Sequence, residues 1–274
     1  MTTSLHCQRW IERQQRWRLA HPGDPFNARH YDVAPISDAA AASFIAQHHY
    51  LGTYPAAAHR FGLLLAGQVV GVAVFGIPTS RRVLTNALPD LEPYRESIEL
   101  SRLCLLDAVP GNGESWFVAR CFRDFLLPAG VKGVVSFADP CRRTTAAGAI
   151  VTPGHAGYVY QALGSVYTGR GTPRTLQLLP DGHVLHPYAA QKIRSQTQGH
   201  AYAERQLVDL GADPLRRGED PATWLQRALR QVGARPLRHR GCHRYVFALG
   251  RNRRERERIT IVGVAQPYPK AVDA

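Results

Sequence analysis

Alternation of apolar and polar residues predicts a mixed α/β fold over the first two thirds of this chain. A strand is predicted near 31–35, followed by a helix from an N-cap at Ser37-Asp38 to about His48. A β-hairpin with arms at 61–66 and 68–77 comes next. The segment 98–167 then alternates between strands and helices. Such a pattern is typical of an α/β fold built around a sheet.

The segment 98–167 also carries the candidate chemistry. A strand over 98–106 leads through the loop Pro110–Gly113 into a helix over 114–126, and a second strand over 131–137 ends at Asp139. Cofactor phosphates commonly bind where a loop and a helix N-terminus lie beside the carboxyl ends of strands. We therefore expect an enzyme.

A helix carrying Tyr158 and Tyr160 follows, and then a short strand near Val166. Residues two apart on a helix point in different directions, so only one of the two tyrosines can face a site. We expect Asp139 and Tyr160 to face it.

The pattern weakens after Thr175. Strands are predicted at 175–179, 243–249 and 259–264, and helices at 189–195 and 221–232. Residues 5–20 predict a basic amphipathic helix with Trp10 and Trp17. We divide the chain into an N-terminal arm (1–28), a catalytic core (29–195) and a basic C-terminal extension packed on the core (196–274).

Positive charge is the strongest feature of the composition. The net charge is +13, arginine outnumbers lysine 31 to 3, and residues 216–258 hold 13 arginines against four acidic residues. A GC-rich genome contributes to the arginine count, yet an excess of this size favours a polyanionic partner such as nucleic acid. The run 253–258 also fits a solvated Arg/Glu helix face. The predicted DNA contacts are Arg81, Arg82, Arg235, Arg238, Arg240 and Arg244.

Cysteine usage and hydropathy bear on the compartment. The five cysteines are scattered and include no CxxC pair, which is typical of a reduced cytoplasmic protein. The N-terminus is polar and shows no signal peptide. The longest apolar run, 61–77, is short for a membrane span of about 20 residues. It is better explained by the hairpin, so no membrane association is expected.

Five motifs have an order and spacing that resemble a known family. They are His49-Tyr50, Glu99–Leu103, Phe137–Pro140, Gly154–Gly157 with Tyr160–Ala162, and Gly241–Tyr245. Together they cover roughly residues 30–250. They resemble the Mom family of phage DNA-modification proteins, and the element order resembles the GNAT (acetyltransferase-like) fold.

The resemblance implies a function. Mom-like proteins convert adenine in double-stranded DNA to an N6-carbamoylmethyl derivative, with acetyl-CoA as the expected donor, and so shield phage DNA from host restriction. The catalytic residues implied by the motifs are His49, Tyr50, Asp139 and Tyr160. One departure is the stretch 141–153, because the family passes from Asp-Pro to Gly-His within a few residues. Another is Asp107–Pro110, which replaces the Arg or Gln that ordinary acetyltransferases place before the glycine loop.

The expected chemistry assigns roles to these side chains. Asp139 is a candidate base for the adenine N6 proton, and Glu99 is a second. The family's product is attached through the former methyl carbon of acetate, which acid–base groups alone do not readily functionalise. His49 with Asp139 is therefore a possible Fe(II) site. Residues expected to bind acetyl-CoA are Leu103, Cys104, Leu105, Gly111, Asn112, Gly113 and Ser115.

Structural explanations compete with each assignment. Asp139 fits an Asp-Pro turn, Tyr160 a core tyrosine, the His48-His49 pair a helix end, and Glu99 an ion pair with Arg102. Two other functions also stay open. One is an ordinary acetyl-CoA-dependent N-acetyltransferase acting on protein or RNA, and the other is a non-enzymatic DNA-binding protein on a degenerate GNAT core.

Overall fold

The computed structural model describes residues 26–270 and the short strands His6–Cys7 and Arg18–Leu19. The described chain forms two compact units. The core unit contains residues 26–140, 155–171 and 242–270, and the inserted unit contains residues 141–154 and 172–241. This division differs from the predicted boundary at residue 195, because the chain returns to the core unit after residue 241.

Fourteen strands occur in the described chain. They are β1 (His6–Cys7), β2 (Arg18–Leu19), β3 (Tyr31–Pro35), β4 (Ala57–Leu65), β5 (Gln68–Gly76), β6 (Ser97–Leu105), β7 (Gly133–Ala138), β8 (Arg143–Thr144), β9 (Ile150–Thr152), β10 (Val166–Arg170), β11 (Arg174–Leu178), β12 (Val184–Leu185), β13 (Arg235–His239) and β14 (His243–Ala248).

Eight α-helices accompany them in the same residues. They are α1 (Asp38–His48), α2 (Arg82–Thr85), α3 (Gly113–Arg120), α4 (Tyr158–Ala162), α5 (Pro187–Ser195), α6 (His200–Asp209), α7 (Pro221–Gln231) and α8 (Arg253–Glu257). A 3₁₀ turn covers Ala28–His30, and a π-helical segment over Cys121–Leu126 continues α3.

The core unit is built on a seven-stranded sheet in the order β10-β14-β7-β6-β5-β4-β3. Only β6 and β7 are parallel, and every other neighbouring pair is antiparallel. This confirms the predicted α/β fold with a mixed sheet. The predicted start of α1 is also confirmed, because Ser37 Oγ accepts a hydrogen bond from the amide of Ala40 at 3.2 Å.

Apolar side chains cover both faces of this sheet. On one face, Phe75, Leu100 and Phe247 pack with residues of α3, the π-helical segment and α4; we call it the α3 face. On the other, Val72 and Val74 pack against α1. The α2 region and residues 259–261 cover Val135 and Val246 on the same side, which we call the α1 face.

A β-bulge in β6 separates it from β7. Val74 pairs with Arg102 and Phe75 with Leu100, so Ser101 is the extra residue. The parallel pairing ends at Leu100 and Ser136. Beyond that point β6 continues beside β5, and β7 continues beside β14. Because a bulge bends its strand and increases the local twist, the two parallel strands diverge here. We call this point the strand fork.

The inserted unit has its own core. Strands β12, β11 and β13 form a three-stranded antiparallel sheet, and β8 pairs with β9. Helices α5, α6 and α7 enclose Trp224, whose indole N–H donates to the carbonyl of Asp213 at 2.9 Å. The sequence pattern predicted α5, α7 and β11 but missed α6 and β13.

Both excursions of the chain into the inserted unit begin and end at hydrogen-bonded positions of the core unit. The amide of His155 donates to the carbonyl of Asp139 at 2.8 Å, across residues 140–154. The amide of Gly171 donates to the carbonyl of Cys242, also at 2.8 Å, across residues 172–241. The extra residues 141–153 therefore do not pull Asp139 away from the motif that follows them.

Several predictions for the chain ends need correction. β14 is an inner strand of the core sheet, so residues 196–274 do not form a separate extension packed on the core. The predicted strand at 259–264 is wrong, because this segment is irregular and Ile259 and Ile261 pack on the α1 face.

The predicted helix over 5–20 lies mostly outside the described residues. His6–Cys7 and Arg18–Leu19, its only described parts, pair as antiparallel strands and are not helical. No helix in the described chain combines the length and the apolar character that a membrane crossing requires.

Candidate functional site

Tyr160 lies at the strand fork. Its side chain is only 6% exposed and is hydrogen-bonded to the side chain of Ser136, the last residue of β7 that pairs with β6. Ser136 Oγ in turn donates to the carbonyl of Leu100 at 3.0 Å. Burial raises the pKa of the Tyr160 phenol. Tyr160 is therefore held as a neutral phenol where the parallel strands separate.

The two tyrosines of α4 have different environments. Tyr158 is 41% exposed, and its hydroxyl donates to the carbonyl of Lys270 at 2.6 Å. Tyr160 points inward, where its ring packs against Tyr245 and Phe247. Of the pair, Tyr160 is thus the one that can reach a site in the sheet.

The segment Gln266–Lys270, which we call the C-terminal strap, holds α4 in place. The side-chain amide of Gln161 donates to the carbonyls of Ala156 and Pro269, each at 3.1 Å. The hydroxyl of Tyr268 donates to the carbonyl of Ser165. A five-residue helix has little stability of its own, so these tertiary bonds fix its orientation.

His49 and Tyr50 follow the end of α1. His49 is buried, its ring stacks on Tyr50 at 4.3 Å between centroids, and its Nδ1 accepts from the amide of Leu51 at 3.1 Å. Burial, helped by the charges of Arg102 and His155, lowers the pKa of His49 to about 3. His49 is therefore a neutral imidazole at physiological pH, with Nδ1 occupied.

Glu99 and Arg102 lie in β6 on either side of the bulge and on the α1 face, opposite Val135 and Val74. Burial raises the pKa of the Glu99 carboxyl, and Arg102 opposes this rise. Arg102 is anchored, since its guanidinium donates to the carbonyl and the hydroxyl of Thr53, both at 3.0 Å.

Tyr160 lies within electrostatic reach of both Glu99 and Arg102, and these two side chains shift its pKa in opposite directions. The strand fork thus brings a phenol from the α3 face together with a carboxyl group from the α1 face. Glu99 was the second candidate base in the sequence, and it is the carboxylate whose charge raises the pKa of Tyr160.

Asp139 has a different partner. It follows β7 directly, and its charge acts on the imidazole of His155, opposing the lowering of the His155 pKa by burial. The ring of His155 meets that of Tyr50 edge-on at 6.4 Å between centroids. Asp139 is thereby connected to His49 and Tyr50 through His155.

The predicted Fe(II) site is not supported by the geometry. His49 is not part of any group of three potential ligand side chains, among the described residues, whose donor atoms are close enough to share a metal ion. Nδ1 of His49 already accepts the Leu51 amide. His49 and Asp139 thus do not form a ligand set that fits iron.

The predicted acetyl-CoA residues lie on two neighbouring parts of the core unit. Leu103 and Leu105 lie beyond the bulge and face the α3 side, whereas Cys104 packs toward α1. An open groove of about 480 Å³ lies beside the start of α3. Its lining consists of Phe26, Asn112, Ser115, Trp116, Ala119, Ala162 and Leu163.

The glycine loop differs from the expected phosphate cradle. The amide of Gly113 donates to the carbonyl of Pro110 at 3.2 Å, and a Cβ at Gly113 would lie 2.5 Å from Val109 Cγ1. Gly113 is therefore required for packing and does not offer its N–H to a ligand. Gly111 has open space around it, and Asn112 adopts a left-handed conformation with φ of 70°. The Ser115 hydroxyl donates to the Asn112 carbonyl at 3.1 Å.

The six arginines predicted to contact DNA do not share one environment. Arg81 and Arg82 are exposed at the start of α2 in the core unit. Arg244 is half-buried in β14, where its Nε donates to Thr168 Oγ1 at 2.7 Å, so it contributes to the sheet itself. The three arginines of the inserted unit are exposed, and they are Arg235, Arg238 and Arg240.

Ser136 was not among the predicted residues of this site, whereas His155 and Gln161, which lie in the sequence motifs, were candidate contacts of DNA or the cofactor. Ser136 is detectable as the one polar residue within the apolar run Val134–Phe137, where a buried hydroxyl needs a specific partner. His155 and Gln161 flank the tyrosine helix in sequence. Their contacts depend on the C-terminal strap and the chain closure at Asp139, which no local pattern indicates.

Solved structures similar to this chain include acetyltransferases. The putative acetyltransferase yncA from Salmonella typhimurium, with acetyl-CoA, is 17% identical, with a TM-score of 0.34 over 53% of this chain and 83% of that chain. A GNAT family acetyltransferase from Elizabethkingia anophelis, with acetyl-CoA bound, is 9% identical, with a TM-score of 0.32 over 80% of this chain and 99% of that chain. No functional assignment rests on these similarities.

A comparison with curated proteins finds no match. A family model does match, over residues 30–270, which include the strand fork, the glycine loop and both units. By that match, this chain belongs to the Mom protein family.

Proposed function

We propose that this chain is an acyl-CoA-dependent transferase that modifies the N6 amino group of adenine in double-stranded DNA. The product is the carbamoylmethyl derivative, and the modification protects phage DNA from host restriction. Membership of the Mom family supports this assignment. The observation that carries it is the electrostatic cluster at the strand fork, where the charge of Arg102 interacts with Tyr50, Glu99 and Tyr160 and with the imidazole of His49.

Adenine N6 sets requirements that this site can meet. Its lone pair is delocalised into the ring, and in duplex DNA the amino group is paired, so the base has to leave the helix at a cost of a few kcal/mol. Burial raises the pKa of Glu99, which makes its carboxylate a stronger base than an ordinary one. The neutral imidazole of His49 accepts the Leu51 amide at Nδ1, so its proton is on Nε2, which can donate a hydrogen bond to the substrate.

Tyr160 suits the opposite task. A buried phenol with a raised pKa stays protonated and can act as a general acid toward an anion that forms during the reaction. Ser136, which is hydrogen-bonded to the phenol, fixes its position at the strand fork. We assign Tyr160 the transfer of a proton to the departing thiolate, and we assign Asp139 the orientation of His155.

Acetyl-CoA supplies the two added carbons, and its thiol leaves when an ammonia-level nitrogen donor forms the amide. Joining the methyl carbon to N6 removes two electrons and two protons, so the reaction also consumes a two-electron oxidant as a co-substrate. Leu103 and Leu105 on the α3 face, with the groove formed by Asn112, Ser115 and Trp116, are the residues of this chain that suit acetyl-CoA binding. Gly111 and Asn112 are the positions of the glycine loop where a phosphate can approach the backbone. The cofactor and the base would then approach the fork from opposite faces of the sheet.

The product identifies the function. DNA from cells that express the protein, digested to nucleosides, should contain an adenosine about 57 Da heavier, the mass of the carbamoylmethyl addition on the extruded base. DNA from cells expressing Tyr160→Phe should lack it.

Other results would assign other functions. An acetylated protein or RNA with unmodified DNA would identify an ordinary N-acetyltransferase. Salt-sensitive DNA binding with no product of either kind would identify a non-enzymatic DNA-binding protein.

A further inference from the structure

The run 251–258 is not a self-neutralising Arg/Glu helix face. Glu255 belongs to a capping box, in which Asn252 Oδ1 accepts the Glu255 amide at 2.9 Å and Glu255 Oε2 accepts the Arg251 amide at 2.8 Å. Glu257 binds Arg253 at 2.6 Å. Both carboxylates of the run are therefore engaged by the backbone or by a single arginine.

The other arginines of this run have no acidic partner. Within the described part of the chain, Arg251, Arg254, Arg256 and Arg258 form no ion pair, and all four are exposed. Four positive charges without an ion-pair partner in so short a segment repel one another. An external anion bound to them would relieve this repulsion.

The segment is held firmly on the core unit. A Cβ at Gly250 would lie 2.8 Å from Glu255 Cβ, so the glycine allows the chain to turn tightly into α8. Ile259 and Ile261 pack into the cluster on the α1 face, and the amide of Val262 donates to the carbonyl of Ala87 at 2.9 Å. The arginines are thus presented by a fixed segment.

The same cluster brings a second pair of arginines close. Ala87 follows α2, which begins with the exposed Arg82 and is preceded by the exposed Arg81. Val83 and Leu84 belong to the same cluster as Ile259 and Ile261. Neither Arg81 nor Arg82 has an ion pair within the described chain. Of the acidic residues that follow α2, Glu92 is engaged by Arg95 and Glu96 by Lys132, and the exposed Asp90 forms no ion pair with Arg81 or Arg82.

These arginines lie on the side of the sheet that also carries the proposed base. The cluster that anchors them covers Val135, and Glu99 is the cross-strand neighbour of Val135 on the same face. α1, which leads into His49, packs on this face as well.

We propose that Arg81, Arg82, Arg251, Arg254, Arg256 and Arg258, together called the arginine face, bind the phosphate backbone of duplex DNA on the α1 side of the core unit. The proposal rests on the proposed function and assigns its nucleic-acid surface. Guanidinium groups suit this role, because each presents several N–H donors to phosphate oxygens without reading sequence.

Fluorescence anisotropy with a labelled DNA duplex of about 20 base pairs, titrated at several salt concentrations, tests the proposal. Arg254→Ala/Arg258→Ala and Arg81→Ala/Arg82→Ala should each weaken binding and reduce the slope of log K against log [salt] by about two, one unit for each phosphate contact.

The matched control is Arg95→Ala/Arg123→Ala. It removes the same charge, but from exposed arginines paired with Glu92 and Asp124. Its salt slope should stay that of the unaltered protein. Equal slopes for the control and the two test variants would show that only net charge matters and would overturn the proposal.

Two further results separate this inference from the proposed function. If the protein modifies DNA while both test variants bind duplex DNA like the unaltered protein, the arginine face is wrong and the function stands. If the unaltered protein binds no DNA duplex, or prefers an RNA duplex of the same sequence, both are wrong. Unchanged melting temperatures would confirm that the variants are folded.

Discussion

The side chain of Tyr160 is hydrogen-bonded to that of Ser136 at the last position where β6 and β7 still pair. A helix on one face of the sheet thus delivers a phenol to the point where the two parallel strands separate. Two ionisable side chains of β6 shift the pKa of that phenol, Glu99 upward and Arg102 downward. The predictions below follow from this arrangement and from its supports.

The Tyr160 hydroxyl should be essential for modification of adenine but should contribute little to the stability of the fold. In Tyr160→Phe the packing against Tyr245 and Phe247 is kept, so we expect a loss of stability of about 1 kcal/mol with no detectable adenine product. Mass spectrometry of digested DNA and a thermal melt measure the two effects. Tyr158→Phe is the control, and it should keep the product, because the Tyr158 hydroxyl donates to the Lys270 carbonyl of the C-terminal strap and the side chain is exposed.

Glu99 and Asp139 should differ in their effect on the pH profile. Burial raises the Glu99 pKa, so activity should fall on the acid side at a pH above the ordinary range of a carboxyl group. Glu99→Gln should remove this limb along with most of the rate.

Asp139→Ala should also abolish modification, through the loss of His155 orientation, and leave DNA affinity nearly intact. Rates measured between pH 5 and 8 distinguish the two variants. Full modification by Asp139→Ala would remove Asp139 from the site.

His49 should make the fold sensitive to acid. Its pKa of about 3 lies below the unfolded value of 6.5, so the unfolded chain takes up a proton that the folded chain refuses as pH falls. The stability from a neutral His49 is complete above pH 6.5 and is lost progressively toward pH 3.

Between pH 7.5 and 5.5 the loss should be about 1.4 kcal/mol more than in His49→Gln. Urea unfolding at the two pH values measures it. Identical pH dependence in both proteins would mean that His49 is protonated in the folded state.

The two glycines of the Pro110–Gly113 loop should separate stability from cofactor binding. Gly113→Ala would place a Cβ 2.5 Å from Val109 Cγ1 and should destabilise the core by about 1–3 kcal/mol. Gly111→Ala meets no atom within 4 Å, so its melting temperature should be unchanged while acetyl-CoA binding weakens. Calorimetry of both variants provides the measurement. Normal acetyl-CoA affinity in Gly111→Ala would exclude this loop as the phosphate site.

The C-terminal strap should control how well Tyr160 is positioned. Gln161→Leu removes the amide that joins α4 to Ala156 and Pro269, so the helix loses part of its orientation. We expect a several-fold lower kcat with little change in KM for DNA, and faster amide hydrogen exchange in Tyr158–Ala162. Gln47→Leu, at an exposed position of α1, is the matched control. It should leave kcat and the hydrogen exchange of Tyr158–Ala162 unchanged. A change in KM alone would place Gln161 in substrate binding.

Much of the core sheet follows from local patterns. Alternating residues in β4 and β5 predict the hairpin, Ser37 predicts the start of α1, and Asp139 marks the end of β7. The bulge is different, because Ser101 looks like any strand residue, and the shift becomes visible only from the partners of Arg102 and Leu100. In a strand without the bulge, regular alternation from Leu100 would turn Leu103 toward the α1 face.

Other failures arise where distant segments decide the outcome. The alternation at Ile259 and Ile261 is that of a strand, but no strand edge receives it, and the residues pack as an irregular segment. His200–Asp209 begins after a left-handed Gly199 with no side-chain cap, so its start lacked the usual signal. The sequence also did not predict the electrostatic interaction between Tyr160 and Glu99, since this interaction depends on the β6–β7 register and on the C-terminal strap.

The closures at Asp139–His155 and Gly171–Cys242 make the core sheet independent of the length and sequence that they enclose. The ends of each insertion are joined by main-chain hydrogen bonds, and every residue type except proline can donate one. A family built in this way can therefore exchange its insertions without changing the spacing of the groups at the strand fork.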